Sequence, residues 1–131
     1  MIGSGKGRLA LGAAGTVVAA ALWWRAHPSA CPYGQRFWVE APHPLVTRRR
    51  LRGVLSPRPD ERVLEVGPGT GYYTLDVARW LAPSGRLDIL DLQQEMLDHT
   101  MRRVQAAAVE TPVETTQGDA TALPYPDATF D

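Results

Sequence analysis

The sequence predicts an α/β chain: a parallel sheet whose short strands alternate with helices, preceded by an N-terminal apolar helix. Three observations predict it. Beyond residue 60, short runs rich in β-branched and aliphatic residues alternate with stretches of helical periodicity. A glycine-rich loop stands between the first such run and the first such helix. Near the start, Leu9 to Trp24 carries no charge. Strands alternating with helices at this spacing imply parallel βαβ units with right-handed crossovers.

The 131 residues have the length of one domain. Net charge is zero but unevenly spread. Residues 1–58 hold nine Lys or Arg and one acid, Glu40, whereas residues 59–131 hold five Arg and thirteen acids, +8 against −8. A basic arm that meets an anionic surface and an acidic folded part are expected from such asymmetry. The lone cysteine, Cys31, excludes an internal disulfide framework and a zinc site built on cysteines, and no metal is expected.

The elements follow in order. The uncharged run 9–24 is flanked by Lys6, Arg8 and Arg25. Sixteen helical residues reach ~24 Å at ~1.5 Å each, just short of a ~30 Å hydrocarbon core. Trp23 and Trp24 sit at one end, where interfacial aromatics belong. Residues 1–25 are read as a membrane anchor, with a cleaved signal as the competing reading. Gly3-Ser4-Gly5-Lys6-Gly7 resembles the end of a phosphate loop, but lacks the upstream strand and the Ser or Thr that would hold magnesium.

Residues 26–58 are read as a proline-rich linker and a basic amphipathic helix, Leu45 to Leu55, ended by Ser56-Pro57 and able to act as a lid. Lid candidates are Tyr33, Trp38, His43 and Arg48. Residues 59–131 are read as the ligand-binding domain. Arg62 to Val66, Arg86 to Asp91 and Val113 to Gln117 are expected strands. Tyr72 to Leu81 and Gln93 to Ala108 are expected helices, the second with Leu97, Met101, Val104 and Ala108 on one face. Phe130-Asp131 reads as the doorstep of a fourth strand.

The chemistry concentrates in Glu65-Val66-Gly67-Pro68-Gly69-Thr70-Gly71, which follows a strand and opens a helix. Glycines let backbone turn sharply and approach a ligand closely. Dinucleotide folds use GxGxxG, with a third small residue for helix–strand packing. Here Tyr72 takes that place and the spacing is GxGxG. Glu65 would repel a pyrophosphate and welcome a cation, so a nicotinamide-dependent oxidoreductase is disfavoured. Asp91, at the end of the second strand, can accept hydrogen bonds from ribose hydroxyls. Asp119, in Gly118-Asp119-Ala120 after the third, can accept from an adenine amino group.

The stretches VLEVGPGTGYYTLDVARWL, LDILDLQQEML and QGDATALPYPDATFD resemble the class I S-adenosylmethionine-dependent methyltransferases, in particular the ubiquinone/menaquinone-biosynthesis-like group. The resemblance covers about residues 61–131. It implies a Rossmann-like parallel sheet, the N-terminal half of that fold, and S-adenosylmethionine as cofactor. It further implies that Glu65 and the loop Gly67, Pro68, Gly69, Thr70 and Gly71 hold the methionine portion. By the same resemblance Asp91 holds the ribose, Leu92 and Met96 flank the adenine, and Asp119 with Ala120 meets its edge. The expected reaction is methyl transfer to a small or lipophilic acceptor, on the cytoplasmic face of a membrane, where the cofactor is kept. Catalytic groups in this family usually follow the fourth strand or come from an N-terminal lid, and the sequence stops at Asp131 before that strand, so the chain is expected to be a truncated fragment. A catalytically incomplete cofactor-binding fragment is the alternative. The acidic folded part gives no expectation of nucleic acid as partner.

Overall fold

The computed structural model describes residues 16, 19, 22, 23, 32–35, 37 and 46–131. The chain divides into two compact units, Met1–Ala30 and Cys31–Asp131. All but four positions of the apolar run 9–24 lie outside the described residues, as do Cys31, Arg36, Trp38 and His43. Among the described residues no helix is long and apolar enough to cross a membrane.

In the second unit a 3-10 turn, Tyr33–Gln35, precedes α1 (Arg48–Leu55), β1 (Arg62–Val66), α2 (Thr74–Leu81), β2 (Arg86–Asp91), α3 (Gln94–Ala106) and β3 (Val113–Gln117). The strands form one parallel sheet in the order β1-β2-β3. Two successive right-handed crossovers in one direction put α2 and α3 on the same face. The core lies between them: Leu87 and Ile89 of β2 pack with Val77, Ala78 and Leu81 of α2 and Leu97 of α3. β2 is central and its residues 87–91 are buried, as a near-continuous apolar run requires.

Each helix differs from expectation by two or three residues at one end, for a local reason. α1 starts at Arg48, where the Thr47 side chain accepts the Arg50 N–H at 3.3 Å, and ends at Ser56, whose φ of 45° is left-handed. α2 starts at Thr74 rather than Tyr72, because Gly71 still holds a turn with φ of 74°. α3 stops at Ala106; Ala108 turns left-handed at φ 46° and so leaves the apolar face on which it was expected. Of that face, Leu97 and Val104 are buried and Met101 is half-buried.

On the sheet's other face Arg62 clamps Asp88 bidentately at 2.9 and 2.8 Å. Arg86 lies 3.8 Å from the same carboxylate and also pairs with Glu114, so the network crosses all three strands. The segment after β3 passes Leu90 at Gly118 and returns to β1. There the Asp131 N–H donates to the Arg62 carbonyl at 3.0 Å, and the Asp131 carboxylate accepts the Arg62 N–H at 2.8 Å. Phe130 and Asp131 form no strand, but they do lie on the outer edge of β1.

Candidate functional site

Register brings the expected residues to one edge. Val66 pairs with Leu90, and Asp91 pairs with Gln117, so all three strands end together. Backbone bonds extend this pairing past the strands: Gly67 N–H donates to the Leu90 carbonyl at 2.8 Å, and Gly118 N–H to the Asp91 carbonyl at 3.0 Å. The glycine loop, Asp91 and the start of Gly118-Asp119-Ala120 therefore share the C-terminal edge of the sheet, where open α/β folds bind ligands.

Each loop glycine has a stated reason. Gly67, Gly69 and Gly71 have φ of 67°, 57° and 74°, a region that costs a side-chain-bearing residue. A Cβ at Gly67 would meet nothing within 4 Å, so that glycine leaves space open. A Cβ at Gly71 would stand 2.7 Å from Thr100 Cγ2, so that glycine lets the loop press on α3. The contact is reinforced by two bonds. Thr100 Oγ1 donates to the Gly69 carbonyl at 3.1 Å, and the Arg103 guanidinium donates to the Thr70 carbonyl at 2.7 Å. Thr100 and Arg103 were not legible as site residues; the only sequence signal was two polar residues three apart on an otherwise amphipathic helix.

Glu65 lies on the helix face of β1, in register with Ile89. Burial pushes its carboxyl above the usual glutamate value, and the neighbouring Thr74 hydroxyl offsets this only in part. Glu65 Oε2, Thr70 Oγ1 and Thr74 Oγ1 are all buried without a completed hydrogen bond among the described residues. Three unsatisfied polar atoms around one glycine loop are unusual, since buried polar groups are as a rule bonded. A ligand with a cationic, hydrogen-bonding end, such as the amino-acid portion of S-adenosylmethionine, would satisfy them. The residues present fit that group.

Asp91 is buried and its Oδ1 accepts the Gln93 N–H at 2.9 Å, an Asx turn that aims the carboxylate before α3 begins. Gln93 in turn accepts the Tyr33 N–H at 3.1 Å. The Tyr33 hydroxyl is 3.3 Å from His99 Nδ1, with the two rings edge to face at 5.9 Å. His99 is thus half-buried beside Tyr33. Leu92 and Met96 part company: Leu92 is 53% exposed, whereas Met96 is buried. Asp119 and Ala120 are exposed. The Asp119 Oδ1 accepts from the Thr121 N–H and hydroxyl at 2.8 and 2.7 Å, which holds its pKa below the usual aspartate value. Pro68 is buried inside the loop.

The lid candidate Arg48 pairs with Asp76 at 2.5 Å and stacks 5.2 Å over the Tyr72 ring. Tyr73 donates its hydroxyl to the Val46 carbonyl at 2.6 Å, and its ring meets Tyr72 edge to face at 4.8 Å. The two tyrosines therefore attach α1 to the end of the glycine loop.

The methyltransferase-domain family matches residues 63–131. A protein-L-isoaspartate O-methyltransferase of Methanopyrus kandleri is 32% identical over 103 residues, 79% of this chain and 44% of the relative. A ubiquinone/menaquinone biosynthesis C-methyltransferase of Roseobacter denitrificans is 38% identical over 96 residues, 73% of this chain and 34% of the relative. The chain thus spans less than half the length of these curated relatives. Among solved structures, a SAM-dependent methyltransferase from Aquifex aeolicus matches with a TM-score of 0.67 at 21% identity, over 77% of this chain and 54% of that one, a likeness of fold. With its glycine loop, its strand-end carboxylates and this match over more than half its length, the chain belongs to the class I S-adenosylmethionine-dependent methyltransferases.

Proposed function

We propose that the chain binds S-adenosylmethionine along the C-terminal edge of its sheet and serves methyl transfer to a small, lipophilic acceptor at the cytoplasmic face of a membrane. The observation that carries the cofactor site is Glu65, a half-buried glutamate whose Oε2 is buried and unpartnered among the described residues, at the mouth of a glycine loop. Glu65, Thr70 and Thr74 would hold the cationic amino-acid end, with Gly67 leaving room for close approach. Asp91 would accept from the ribose hydroxyls. Leu92, exposed beside it, and buried Met96 would border the adenine, and Asp119 with Ala120 would meet its edge. When bound, the cofactor supplies a methyl group on a positively charged sulfur, which an acceptor nucleophile takes as the sulfur becomes a neutral thioether. The protein's part is to hold donor and acceptor close and in line.

The lipophilic acceptor is supported by the quinone-biosynthesis name of the Roseobacter relative. Membrane association is supported by the uncharged run 9–24, in which Leu22 and Trp23 are exposed. Calorimetric titration of the full chain with S-adenosylhomocysteine tests the cofactor site, with circular dichroism as the folding control. Binding that Asp91→Ala abolishes is expected, whereas a folded chain that does not bind would sink the assignment. Transfer of a labelled methyl group into a lipid extract tests the acceptor class. Binding without transfer to any extract would instead assign a cofactor-holding role.

A further inference from the structure

α1 and α2 lie side by side: Arg48 pairs with Asp76, and Arg52, one turn on, stacks 5.8 Å over the Trp80 ring. Between the helices runs a groove of about 490 Å³, lined by Arg48, Arg49, Arg52 and Gly53 of α1 and by Asp76 and Trp80 of α2. Its charge is not balanced. Asp76 is the acid that lines it, and that carboxylate is held by Arg48, whose pKa rises above the ordinary arginine value as a result. Arg49 and Arg52 are exposed and meet no carboxylate among the described residues. Two guanidinium charges three residues apart thus line the groove without a counterion. The groove is also open where a side chain would close it. Glycine is a poor choice for a helix interior, yet a Cβ at Gly53 would meet nothing within 4 Å. Trp80 packs on the core but is only half-buried, and its ring reaches the groove. The Arg52 guanidinium holds it loosely, since 5.8 Å is close to the outer limit of about 6 Å for such a contact.

We propose that this groove is a binding site for a nucleoside diphosphate. Arg49 and Arg52 take the phosphates through forked N–H donors, which match phosphate geometry. Arg52 leaves the indole as it turns to the phosphate, and the base stacks on the Trp80 ring in its place. The open space at Gly53 receives the ribose. Size, charge and the ring select this ligand. An inorganic anion would use the arginines but leave the ring uncovered and much of the groove empty. A single strand is held by a longer basic track with successive aromatic platforms, whereas Trp80 is the only aromatic residue lining this groove. A lipid surface would need apolar side chains beside the charges, but the exposed Val54 lies on the far side of α1 from the groove, at about 100° per residue. All six lining residues belong to α1 and α2 and none to the C-terminal edge of the sheet, so the site stands apart from the proposed cofactor site.

The test is calorimetric titration of the full chain with guanosine diphosphate, without divalent cations, in the presence and absence of excess S-adenosylhomocysteine. The guanine base carries a carbonyl where adenine carries the amino group proposed for Asp119, so the probe reports on the groove rather than the sheet edge. One saturable site per chain is expected, unaffected by S-adenosylhomocysteine. Arg49→Gln and Arg52→Gln should each weaken binding about tenfold, the loss of one charged hydrogen-bonded contact. Gly53→Leu fills the open space with a better helix former, so binding should fall about tenfold while Tm holds or rises. Inorganic pyrophosphate, which has no ring to stack, should bind about tenfold more weakly than guanosine diphosphate, and Trp80→Leu should remove that difference. Circular dichroism checks folding; if Trp80→Leu does not fold, the pyrophosphate comparison in the parent chain carries the same reading. Absence of saturable binding would overturn the proposal, as would binding that Arg49→Gln, Arg52→Gln and Gly53→Leu all retain. Pyrophosphate binding as tightly as guanosine diphosphate would reduce the groove to an anion site, and loss of binding with S-adenosylhomocysteine present would move the ligand to the sheet edge; either result overturns it. So would an oligouridylate strand or phosphatidylglycerol vesicles that need Arg49 and that guanosine diphosphate does not displace.

Discussion

At Glu65, burial disfavours the charged carboxylate, so the folded chain holds that proton more tightly than the unfolded chain does. The sign follows from linkage. A carboxyl whose folded pKa is raised contributes stability below its unfolded pKa and loses it as pH climbs through the folded value. The window opens near the ordinary value of 4.5 and closes at the raised one. Glu65→Gln is therefore expected to raise the urea midpoint at pH 8 relative to the parent, and to leave it nearly unchanged at pH 4. The same substitution should weaken S-adenosylhomocysteine binding at pH 8 in calorimetry. Gly71 is the second sensitive residue. Gly71→Ala meets both a left-handed φ, costing roughly 1–2 kcal/mol, and the Thr100 methyl at 2.7 Å. A loss of about 2–3 kcal/mol is expected from these two terms, read as a fall in Tm of about 10 °C or more for a domain of this size. A Tm within a few degrees of the parent would show that the loop does not press on α3.

At the scale of elements, α3 organises the site from two directions. Its entry is set by Asp91 through Gln93, and its middle holds the glycine loop through Thr100 and Arg103. One rigid helix thus links the strand-end carboxylate to the loop that follows a different strand. Arg103→Gln removes a charged donor from the half-buried Thr70 carbonyl contact. A loss of about 1.5 kcal/mol is expected, measured by urea unfolding, together with several-fold weaker S-adenosylhomocysteine binding. If stability falls but binding does not, the bond serves packing alone. α1 is the opposite kind of element: capped by Thr47 and Ser56, attached through arginine and tyrosine side chains, and without a buried residue. Its periodicity was legible in the sequence, but the periodicity did not reveal that none of its apolar positions is buried.

Over the second unit as a whole, stability is graded outward from β2. Leu87, Ile89 and Leu90 have essentially no exposure and are flanked by a strand on each side. Among the described residues β1 and β3 each keep one edge without a strand, and the Asp131 backbone bonds to the start of β1. Amide hydrogen exchange is expected to be slowest at residues 87–91, faster in β1 and β3, and fastest in α1. Exchange in β3 as slow as in β2 would mean that its outer edge is covered in solution. The ion network Arg62–Asp88–Arg86–Glu114 supports the same centre from the face opposite the helices.

The sequence by itself determined the three strands to the residue, their parallel direction, and the meeting of Glu65, the glycine loop and Asp91 at one edge. Those signals are local: short aliphatic runs, turn residues at their ends, and glycines where no other residue fits. The three-dimensional structure alone decided the rest. Thr100 and Arg103 bond loop carbonyls 31 and 33 residues away, and Tyr33 reaches Gln93 across 60. Leu92 and Met96 look alike in a helical pattern, yet one is exposed and the other buried. The end of α3 at Ala106 came from a left-handed alanine, a residue type that gives no warning of such a turn. Local composition selects elements, but which polar side chain finds which orphan carbonyl depends on where the packed helices bring them, and no periodicity encodes that.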